Sequence, residues 1–592
     1  MALTPAQTPI VFSLIETTAP LAKTIATTLN AEYKDISDSA INEIAAAFTQ
    51  GRPIIGLMAS GILIRAIAPH MADKHHDAPV IAVSPDGLQV VPLTGGHHGA
   101  NKFAHEIATI TNGNAAVTTA SDTAFSISLD EPPLGYTLAN PSDFKPFIAK
   151  VLKGQTVKLE GIAPWISESD LPLSDAANLT IKVTEQDITG DENTLVYHPH
   201  TLVIGLGCER NATVDELSNH VSQCLKSANL SSKSIACFAS IDLKADEASI
   251  TAISQQHNKP IQFFTATELN TVNDRLKNPS EIVLKEVGCA GVSEGAALSA
   301  GGNDASLIVE KTKSARTTCA IAQAPTPITT SQGRARGKLS VVGIGPGSLE
   351  WRSPEATQTL MAATEWVGYD LYLDLASDLK TNQTEHRFGL GKEEARVRHA
   401  FKLAGKGKHV ALVCSGDANI YAMGALTYEV LDSNTLPDAQ TRVEVHIVPG
   451  ISAFQAASAR AGAIIGHDFC TISLSDLLTP WETIENRLHA AAQGDFNIAF
   501  YNPRSLKRID QLQRAIDILK PHRSNDTPVI IASNLGRPTE KVKTVRFADF
   551  DPNEVDMLTI VLIGSSQSKI ITRGDGQSYC YTPRGYANKK ET

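Results

Sequence analysis

Short apolar runs alternate with amphipathic stretches through the second half of this 592-residue chain. The apolar runs predict buried strands at Leu339–Ile344, Val410–Cys414, Val443–Val448, Ile498–Tyr501, Val529–Ala532 and Leu558–Ile563. The stretches between them predict helices at Pro354–Thr364, Glu393–Leu403, Tyr421–Leu431, Ala453–Ala461 and Leu506–Leu519. Strands and helices in alternation indicate an α/β fold with a mostly parallel sheet.

In the first half of the chain, the same alternation of apolar runs and amphipathic stretches occurs in two regions, residues 10–130 and 201–322. Each region is typical of a small α/β unit. The predicted strands are Ile54–Met58, Val80–Val83, Leu202–Leu206 and Ile235–Phe238, and a helix is predicted at Val214–Leu225. Residues 131–200 contain proline and lack a regular pattern, which predicts an irregular middle segment.

A linker is predicted at residues 323–337, where the sequence is rich in Pro, Ser, Thr and Gly and has no apolar periodicity. The chain is also too long for one hydrophobic core. The predicted division is 1–130, 131–200, 201–322, the linker 323–337, and 338–592.

The composition argues against a membrane protein, a secreted protein and a nucleic-acid-binding protein. No apolar run approaches the roughly 20 residues of a membrane span, and the first residues lack the basic region of a secretory signal, so we expect a cytoplasmic protein. The eight cysteines form no C-x-x-C pair, so neither a disulfide framework nor a zinc ribbon is predicted and no metal ligand is assigned. Residues 1–337 carry a net charge of −10 out of the total of −11, which argues against a nucleic-acid partner.

The segment Val410–Met423 holds the strongest candidate for a ligand site. Its apolar strand stops at Ser415-Gly416-Asp417 just before a helix, and α/β proteins bind small ligands at such strand ends. Gly343–Gly347 follows another strand, but its glycine spacing differs from G-x-G-x-x-G and Pro346 removes a backbone amide. A rigid turn that shapes a pocket is therefore favoured over a nicotinamide site.

Seven motifs at strand ends or, for the last, inside a strand occur in a fixed order: GIGPG, GYDLYL, SGDANIYAM, VPGISA, FYNPRS, ASNLGRP and LTIVLIG. In this order they resemble the tetrapyrrole methyltransferase family, and within it the precorrin-3B C(17)-methyltransferases, which contract the ring during cobalamin biosynthesis. The resemblance implies two α/β domains with S-adenosylmethionine in the cleft between them. The cofactor contacts that it implies are Gly416, Asp417, Ile420, Tyr421, Ser452, Ala453, Tyr501, Asn502, Asn534, Thr559 and Ile560. Ser348 and Asn419 depart from the family, which often has aspartate and glycine there.

Methyl transfer from a sulfonium depends chiefly on alignment, whereas ring contraction also needs a positioned acid or base. Asp417 and Tyr369 are the catalytic candidates. The implied substrate carries many carboxylates. A basic series is interpreted either as contacting them or as a solvated helix face, and it consists of Lys392, Arg396, Arg398, Lys402, Lys406 and Lys408.

The first half also carries motifs: GLMASGILIRAIAP, VPLTGGHHGAN, LVIGLGCERN, FASIDLKADE and VGCAGVSEGAAL. They resemble the cobalamin biosynthesis protein G family, the cobalt-precorrin-5A hydrolases, which open a lactone and release acetaldehyde. His97 and His98 lie between glycines and suit acid/base chemistry, metal ligation or a plain structural turn. The resemblance implies that both histidines line a pocket, and that a second loop is formed by Gly205, Gly207, Cys208 and Glu209.

The sequence therefore predicts an α/β, multi-domain chain, with two small α/β units followed by a two-domain tetrapyrrole-methyltransferase fold. The predicted function is S-adenosylmethionine-dependent C(17) methylation with ring contraction, fused to a hydrolase-like region. A tetrapyrrole substrate and a homodimer are expected, with no membrane partner. Three alternatives stay open: a cobalt-bearing substrate, an N-terminal half that only carries intermediates, and an unrelated small-molecule methyltransferase. The lack of a Cys-rich tail favours the metal-free substrate.

Overall fold

The computed structural model describes residues 8–36, 40–71, 77–96, 99–117, 125, 127–505 and 508–586. The chain divides into two units, Met1–Gly333 and Arg334–Thr592. Within the described residues, no helix is both long and apolar enough to cross a membrane.

The first unit begins with a six-stranded sheet in the order β2-β1-β3-β4-β5-β6. Its strands are β1 (Ile10–Ser13), β2 (Glu32–Asp35), β3 (Ile54–Leu57), β4 (Val80–Val83), β5 (Gln89–Thr94) and β6 (Asn114–Ala115). Its helices are Ala19–Thr28, Ala40–Thr49, Ser60–Ile67 and Ala100–Thr111. Successive side chains of a strand point to opposite faces, so Phe12 packs in one core and Val11 in the other.

The middle segment is folded, and the prediction that residues 131–200 are irregular is wrong. Its strands are β7 (Tyr136–Leu138), β8 (Val157–Glu160), β9 (Leu179–Val183) and β10 (Thr194–Pro199), in the order β7-β10-β9-β8. Helices Phe144–Leu152 and Pro164–Ser167 complete a core around Phe147 and Tyr197. The prolines that suggested irregular structure lie between the strands or, for Pro199, at a strand end.

The rest of the first unit is a five-stranded sheet in the order β13-β12-β11-β15-β14. Its strands are β11 (Leu202–Cys208), β12 (Ile235–Ile241), β13 (Ile261–Phe264), β14 (Ser306–Lys313) and β15 (Thr317–Gln323). Its helices are Val214–Ser227, Ala248–His257, Ala266–Asn270, Glu281–Val287 and Val292–Gly301. The predicted elements are present, and each extends a few residues beyond its apolar run.

The second unit starts with a sheet in which every pair is parallel, in the order β18-β17-β19-β16-β20. Its strands are β16 (Lys338–Gly343), β17 (Glu365–Tyr369), β18 (Thr384–Phe388), β19 (His409–Cys414) and β20 (Glu444–Val448). Its helices are Pro354–Ala362, Asp370–Asp374, Glu393–Ala404, Met423–Asp432 and Asp438–Thr441. Both faces are covered, with Val341 in one core and Val342 in the other, as parallel sheets require.

A second sheet follows, in the order β22-β23-β26-β24-β25, and only β22 and β23 pair in parallel. Its strands are β22 (Phe469–Ser473), β23 (Asn497–Tyr501), β24 (Pro528–Ser533), β25 (Lys541–Arg546) and β26 (Thr559–Ile563). Helices are Ala453–Ala461, Trp481–Gln493 and Gln511–Leu519, and the short strands are β21 (Gly462–Ala463), β27 (Lys569–Thr572) and β28 (Ser578–Tyr581).

The prediction of mostly parallel pairing is therefore wrong for this second sheet. The connection between β24 and β25 is too short for the crossover that parallel strands need, and the two strands pair antiparallel. Two predicted helices also start later than expected, at Met423 and Gln511.

Candidate active site

The carboxyl ends of β16, β19 and β20 meet because β16 lies between the other two strands. The loop after β16 pairs with the loop after β19. Gly345 N donates to Gly416 O at 3.1 Å, and Gly416 N donates to Gly345 O at 2.8 Å. These two hydrogen bonds fix the backbone of both loops at the edge where α/β sheets bind ligands.

The glycines of these loops differ in what surrounds them. A Cβ atom on Gly343 would lie 2.6 Å from Gly416 O, and one on Gly450 would overlap the same oxygen. Gly343 and Gly450 thus allow three backbone segments to pack together. Gly416 has a φ of +71°, and nothing lies within 4 Å of the position that its Cβ atom would take. This side of the Gly416 backbone is open.

The Asp417 carboxylate connects two of the strand-end loops. Its Oδ2 accepts a hydrogen bond from Gly450 N at 3.0 Å, and its Oδ1 accepts one from Asn419 N at 2.8 Å. A carboxylate oxygen can accept more than one hydrogen bond, so both oxygens keep capacity for a ligand. Asp417 therefore orders the loop around Gly416 and still presents negative charge beside it.

An apolar and aromatic cluster lies beside this loop. Ile420, Ala453 and Tyr501 pack against the buried residues Phe454 and Ile560 in one cluster. Burial raises the pKa of Tyr501 to about 12, so its hydroxyl stays protonated at neutral pH. This surface suits the flat, partly apolar part of a ligand.

Tyr421 connects the loop to the second sheet. Its backbone has a φ of +51°, which explains why the predicted helix starts only at Met423. Its ring lies 5.0 Å from the ring of Tyr501, and its hydroxyl donates to Thr471 O at 2.9 Å. Tyr421 is thus held in an uncommon backbone conformation by contacts on both sides.

The remaining predicted cofactor contacts lie at strand or helix ends. Ser452 is buried at the start of helix Ala453–Ala461, where its N donates to Gln455 Oε1 at 2.9 Å. Asn502 and Asn534 follow β23 and β24 with φ values of +48° and +51°. Thr559 pairs with the last residue of β24, and its hydroxyl donates to Asp556 Oδ1 at 2.6 Å. Their contact with a cofactor stays a prediction.

Tyr369 ends β17, and its ring lies perpendicular to that of Tyr372 with a centroid distance of 5.2 Å. No hydrogen bond among the described residues joins Tyr369 to Asp417, so the structure does not bring the two catalytic candidates together as a hydrogen-bonded pair. Ser348, at the end of the first loop, donates its hydroxyl hydrogen to Glu350 Oε2 at 2.9 Å.

Sequence reasoning did not single out Arg537. It lies in the ASNLGRP motif, and the position that a Cβ atom of Gly347 would take is 2.7 Å from its Cγ atom. The motif contains this arginine, but only the fold shows that it lies against the loop after β16.

In the first unit, His97 and His98 lie outside the described residues. The prediction of a second loop is wrong for Gly205, Gly207 and Cys208, which lie in strand β11, and only Glu209 follows the strand. The strand is closely packed there: a Cβ atom on Gly205 would overlap Ser293 O. Gly207 lies close to the Thr318 hydroxyl, with 2.5 Å between Oγ1 and the position of a Cβ atom. Burial raises the pKa of the Cys208 thiol, and Glu209 N donates to Arg316 O at 2.9 Å. In the part of the chain that the structure describes, no cluster of three or more His, Cys, Asp or Glu could hold a metal ion.

Three protein-family models match the chain. The model of the tetrapyrrole (corrin/porphyrin) methylases matches residues 338–551. Two models of cobalamin synthesis protein G, its N-terminal and C-terminal parts, match residues 42–122 and 202–322.

Known proteins resemble the second unit at high identity. The precorrin-3B C(17)-methyltransferase of a Sinorhizobium species is 40% identical over 255 residues, which are 43% of this chain and 99% of that protein. The chain belongs to the tetrapyrrole methyltransferase family. A cobalt-factor III methyltransferase of Priestia megaterium is 42% identical over 254 residues, and there the match spans only 46% of the relative. Among solved structures, the methyltransferase CobJ covers 42% of the chain at 37% identity with a TM-score of 0.39.

Tetrapyrrole methyltransferases use S-adenosylmethionine, and the geometry of this member fits that cofactor. The open side of Gly416 lets a ligand approach the backbone closely, which a Cβ atom would prevent. Asp417 offers carboxylate oxygens for hydroxyl or ammonium groups. The cluster around Tyr501 offers an apolar surface for an aromatic base. The site thus offers an acceptor for hydroxyl or ammonium groups and an apolar surface for the base.

Proposed function

We propose that residues 334–592 transfer the methyl group of S-adenosylmethionine to C(17) of a precorrin-3B-type macrocycle, with contraction of the ring. The observation that carries this proposal is the Asp417–Gly450 hydrogen bond, which orders two strand-end loops around the open backbone of Gly416. The reaction named for the Sinorhizobium relative, aligned over 99% of its length, supports the choice of C(17).

The residues of the site position the reactants. When bound, the cofactor supplies a methyl group that is already activated for transfer. Gly416 lets it approach the backbone, Asp417 holds the loop in place, and the apolar surface around Tyr501 excludes water. Alignment of two bound reactants can replace much of the entropy cost of their encounter. The proton transfers of ring contraction are assigned to Asp417 or Tyr369, each at the edge of the same sheet.

A turnover assay tests this proposal and the choice of substrate. The full chain is incubated with S-adenosylmethionine carrying a deuterated methyl group, with precorrin-3B in one arm and its cobalt-bearing counterpart in the other. We expect one labelled methyl group in the metal-free macrocycle, detected by mass spectrometry. Methyl transfer only to the cobalt-bearing compound would show that the chain acts on the cobalt-bearing substrate instead. If the chain bound no tetrapyrrole, an unrelated small-molecule methyltransferase would be favoured.

We also propose that residues 1–333 open the lactone of an intermediate in the same pathway. The two matches to cobalamin synthesis protein G support this assignment, with His97 and His98 as the proposed pocket residues. Incubating the full chain with the lactone should release acetaldehyde, and the variant His97→Gln/His98→Gln should not. A chain that binds the lactone and releases no acetaldehyde would instead be a carrier.

The remaining assignments are proposals of the same kind. We propose the division 1–130, 131–200, 201–322, 323–337 and 338–592, a cytoplasmic location, and a homodimer without a nucleic-acid partner. Light scattering after size-exclusion chromatography tests the homodimer, because a chain of 63.2 kDa should elute with twice that mass. A monomeric mass at micromolar concentration would reject it.

A further inference from the structure

The loop that follows β22 carries two adjacent leucines at the protein surface. Leu477 is 82% exposed and Leu478 is 94% exposed. Burial of a leucine side chain is favourable, and contiguous exposed apolar surface is a feature of interaction sites. The loop starts from a fixed point, because Leu474 N donates to Tyr501 O at 2.9 Å. The two leucines therefore form an apolar surface that is available to a ligand or a partner.

Arg508 joins this loop to the loop after β23. Its Nη1 donates to Ser475 Oγ at 3.1 Å, and its Nε donates to Asn502 O at 3.1 Å. Asn502 connects the same two loops a second time, since its Nδ2 donates to Ser473 Oγ at 3.1 Å. Three hydrogen bonds thus hold Arg508 and the leucine-bearing loop beside Asn502, which is one of the predicted cofactor contacts.

The guanidinium group of Arg508 is hydrogen-bonded to neutral oxygens and is half-buried. It has five N–H donors, and the two bonds leave the others for a ligand. Among the described residues Arg508 forms no ion pair. Asp476, the acidic side chain of the leucine-bearing loop, accepts a hydrogen bond from Gln511 Nε2 at 2.8 Å instead. Burial lowers the pKa of Arg508, and the charge of Asp476 opposes this effect only in part. An anion bound here would offset the cost of the half-buried charge.

Tyr421 connects these two loops to the candidate active site. Its hydroxyl donates to Thr471 O in β22 at 2.9 Å, and its ring lies 5.0 Å from that of Tyr501 at the end of β23. Because β22 and β23 are parallel neighbours, their carboxyl ends lie side by side. The two leucines and the arginine therefore belong to loops that adjoin the loop of Gly416.

We propose that these loops bind the tetrapyrrole substrate, with Leu477 and Leu478 against an apolar face of the macrocycle and Arg508 paired with one of its carboxylates. A macrocycle with carboxylate side chains combines an apolar ring with anionic groups at its margin, which are the two features that the loops match. The planar guanidinium group can hold a carboxylate with two parallel hydrogen bonds. This inference rests on the proposed function, and it names residues that orient the substrate.

Titration of the full chain with two probes tests the inference. Uroporphyrin, a stable macrocycle with carboxylate side chains, is titrated by fluorescence quenching, and S-adenosylhomocysteine is titrated by calorimetry. The variants are Arg508→Met, Arg508→Lys and the double variant Leu477→Ser/Leu478→Ser. The matched control is Arg514→Met in helix Gln511–Leu519, where Arg514 stacks on Trp481 with 4.2 Å between the guanidinium carbon and the ring centroid.

Arg508→Met and the double leucine variant should each weaken uroporphyrin binding about tenfold. Arg514→Met should bind uroporphyrin normally, and S-adenosylhomocysteine affinity should be unchanged in every variant. The two losses should differ in their salt dependence. Salt screens an ion pair that solvent reaches, so the loss in Arg508→Met should shrink as sodium chloride is added, while the loss in the leucine variant persists. Arg508→Lys keeps the charge and should recover part of the affinity.

Wild-type uroporphyrin affinity in both Arg508→Met and the leucine variant overturns the inference, and so does a wild-type chain that binds no uroporphyrin. The proposed function is judged separately, by methyl transfer to precorrin-3B. Weaker binding of both probes in Arg508→Met and Arg508→Lys alike would mean that Arg508 acts only by holding Asn502. If Arg508→Met does not fold, the leucine variant and Arg508→Lys decide. A dimer that becomes monomeric in the leucine variant, with uroporphyrin affinity unchanged, would assign the leucines to a contact between two copies of the chain.

Discussion

One glycine inside a strand and one in a strand-end loop of this protein have different surroundings. Gly205 lies in β11, where a Cβ atom would overlap Ser293 O and lie 2.9 Å from the Cβ atom of Ala297. Its role is to let helix Val292–Gly301 pack directly on the strand. Gly416 follows β19 with a φ of +71° and has nothing within 4 Å of the Cβ position. Gly205 is therefore in contact with a helix of the same chain, whereas the backbone of Gly416 is open to a ligand.

This difference shows that a glycine in or after a strand allows another group to approach its backbone closely. It does not show whether that group belongs to the protein or to a ligand. Glycine permits such an approach because it lacks a Cβ atom. Where the neighbour is a helix of the same chain, the glycine contributes to stability. Where the space is empty, as at Gly416, the glycine is a candidate for ligand contact. Substitutions should therefore affect stability at the first position and binding at the second.

The largest effect is expected for Gly205→Ala. The added methyl group meets backbone atoms of Ser293 and Ala297 that cannot move independently, and overpacking of this kind costs about 3 kcal/mol. Hydrogen–deuterium exchange should show faster exchange in β11 and helix Val292–Gly301. The control is Gly295→Ala in that helix, whose nearest neighbour would be 3.6 Å away. Equal protection in Gly205→Ala and wild type would contradict the packing role.

Gly416→Ala should leave the fold intact and impair binding. A left-handed backbone costs alanine about 1–2 kcal/mol, and the methyl group would enter the open space. We expect affinity for S-adenosylhomocysteine to fall at least about tenfold by calorimetry. Gly576→Ala is the matched control, because Gly576 has a φ of +80° and equally open surroundings in the turn between β27 and β28. If both variants lost the same affinity for S-adenosylhomocysteine, the loss would result from backbone strain and not from a methyl group in the binding site.

Asp417→Ala should have a smaller effect on the same binding. It removes the acceptor of two backbone hydrogen bonds, from Gly450 N and Asn419 N, without filling the open space. Loss of one hydrogen bond to the ligand, at a net contribution of about 1 kcal/mol, predicts roughly fivefold weaker binding of S-adenosylhomocysteine. The fold should stay intact, and the melting temperature should fall only slightly because the two backbone hydrogen bonds are lost. Asp551→Ala, which removes a similar acceptor for Asn553 N, should bind normally. Wild-type affinity of Asp417→Ala would reject its placement at the cofactor.

The sequence predicts the α/β class and six of the ten strands in the two five-stranded sheets of the second unit, because those six are continuous apolar runs. It does not predict the other four strands, which are β17, β18, β22 and β25. It does not predict the direction of pairing in the sheet of β22–β26, since periodicity describes a strand's faces and not its partner. It also misses the middle segment. There β9 alternates buried and half-buried residues over only five positions, which is too short to stand out beside prolines.

The candidate site shows the same limit. Motif order identifies the loops that carry Gly416 and Asp417, whose local sequence determines their turns. It does not distinguish Arg396 from Arg398, because both lie on one helix and only tertiary packing buries the first while the second pairs with Glu394. Residues whose role depends on what lies across the fold cannot be recognised from local pattern alone.

The smallest effect is expected at Cys208, which follows the closely packed Gly205 and Gly207. Burial is the main cause that raises the pKa of its thiol, so the reactive thiolate is scarcer at neutral pH than in a free thiol, whose pKa is about 8.5. A raised pKa shifts deprotonation to higher pH. The alkylation rate of Cys208 should therefore still rise with pH where the same peptide in the urea-unfolded chain has reached its plateau. Cys208→Ser should change acetaldehyde release by less than about twofold, within the range of a mild substitution. The opposite result would be an alkylation rate that reaches its plateau at lower pH than in the unfolded chain, together with loss of acetaldehyde release in Cys208→Ser. Cys208 would then be a nucleophile, and the first unit would have a reactive site where we expect only close packing.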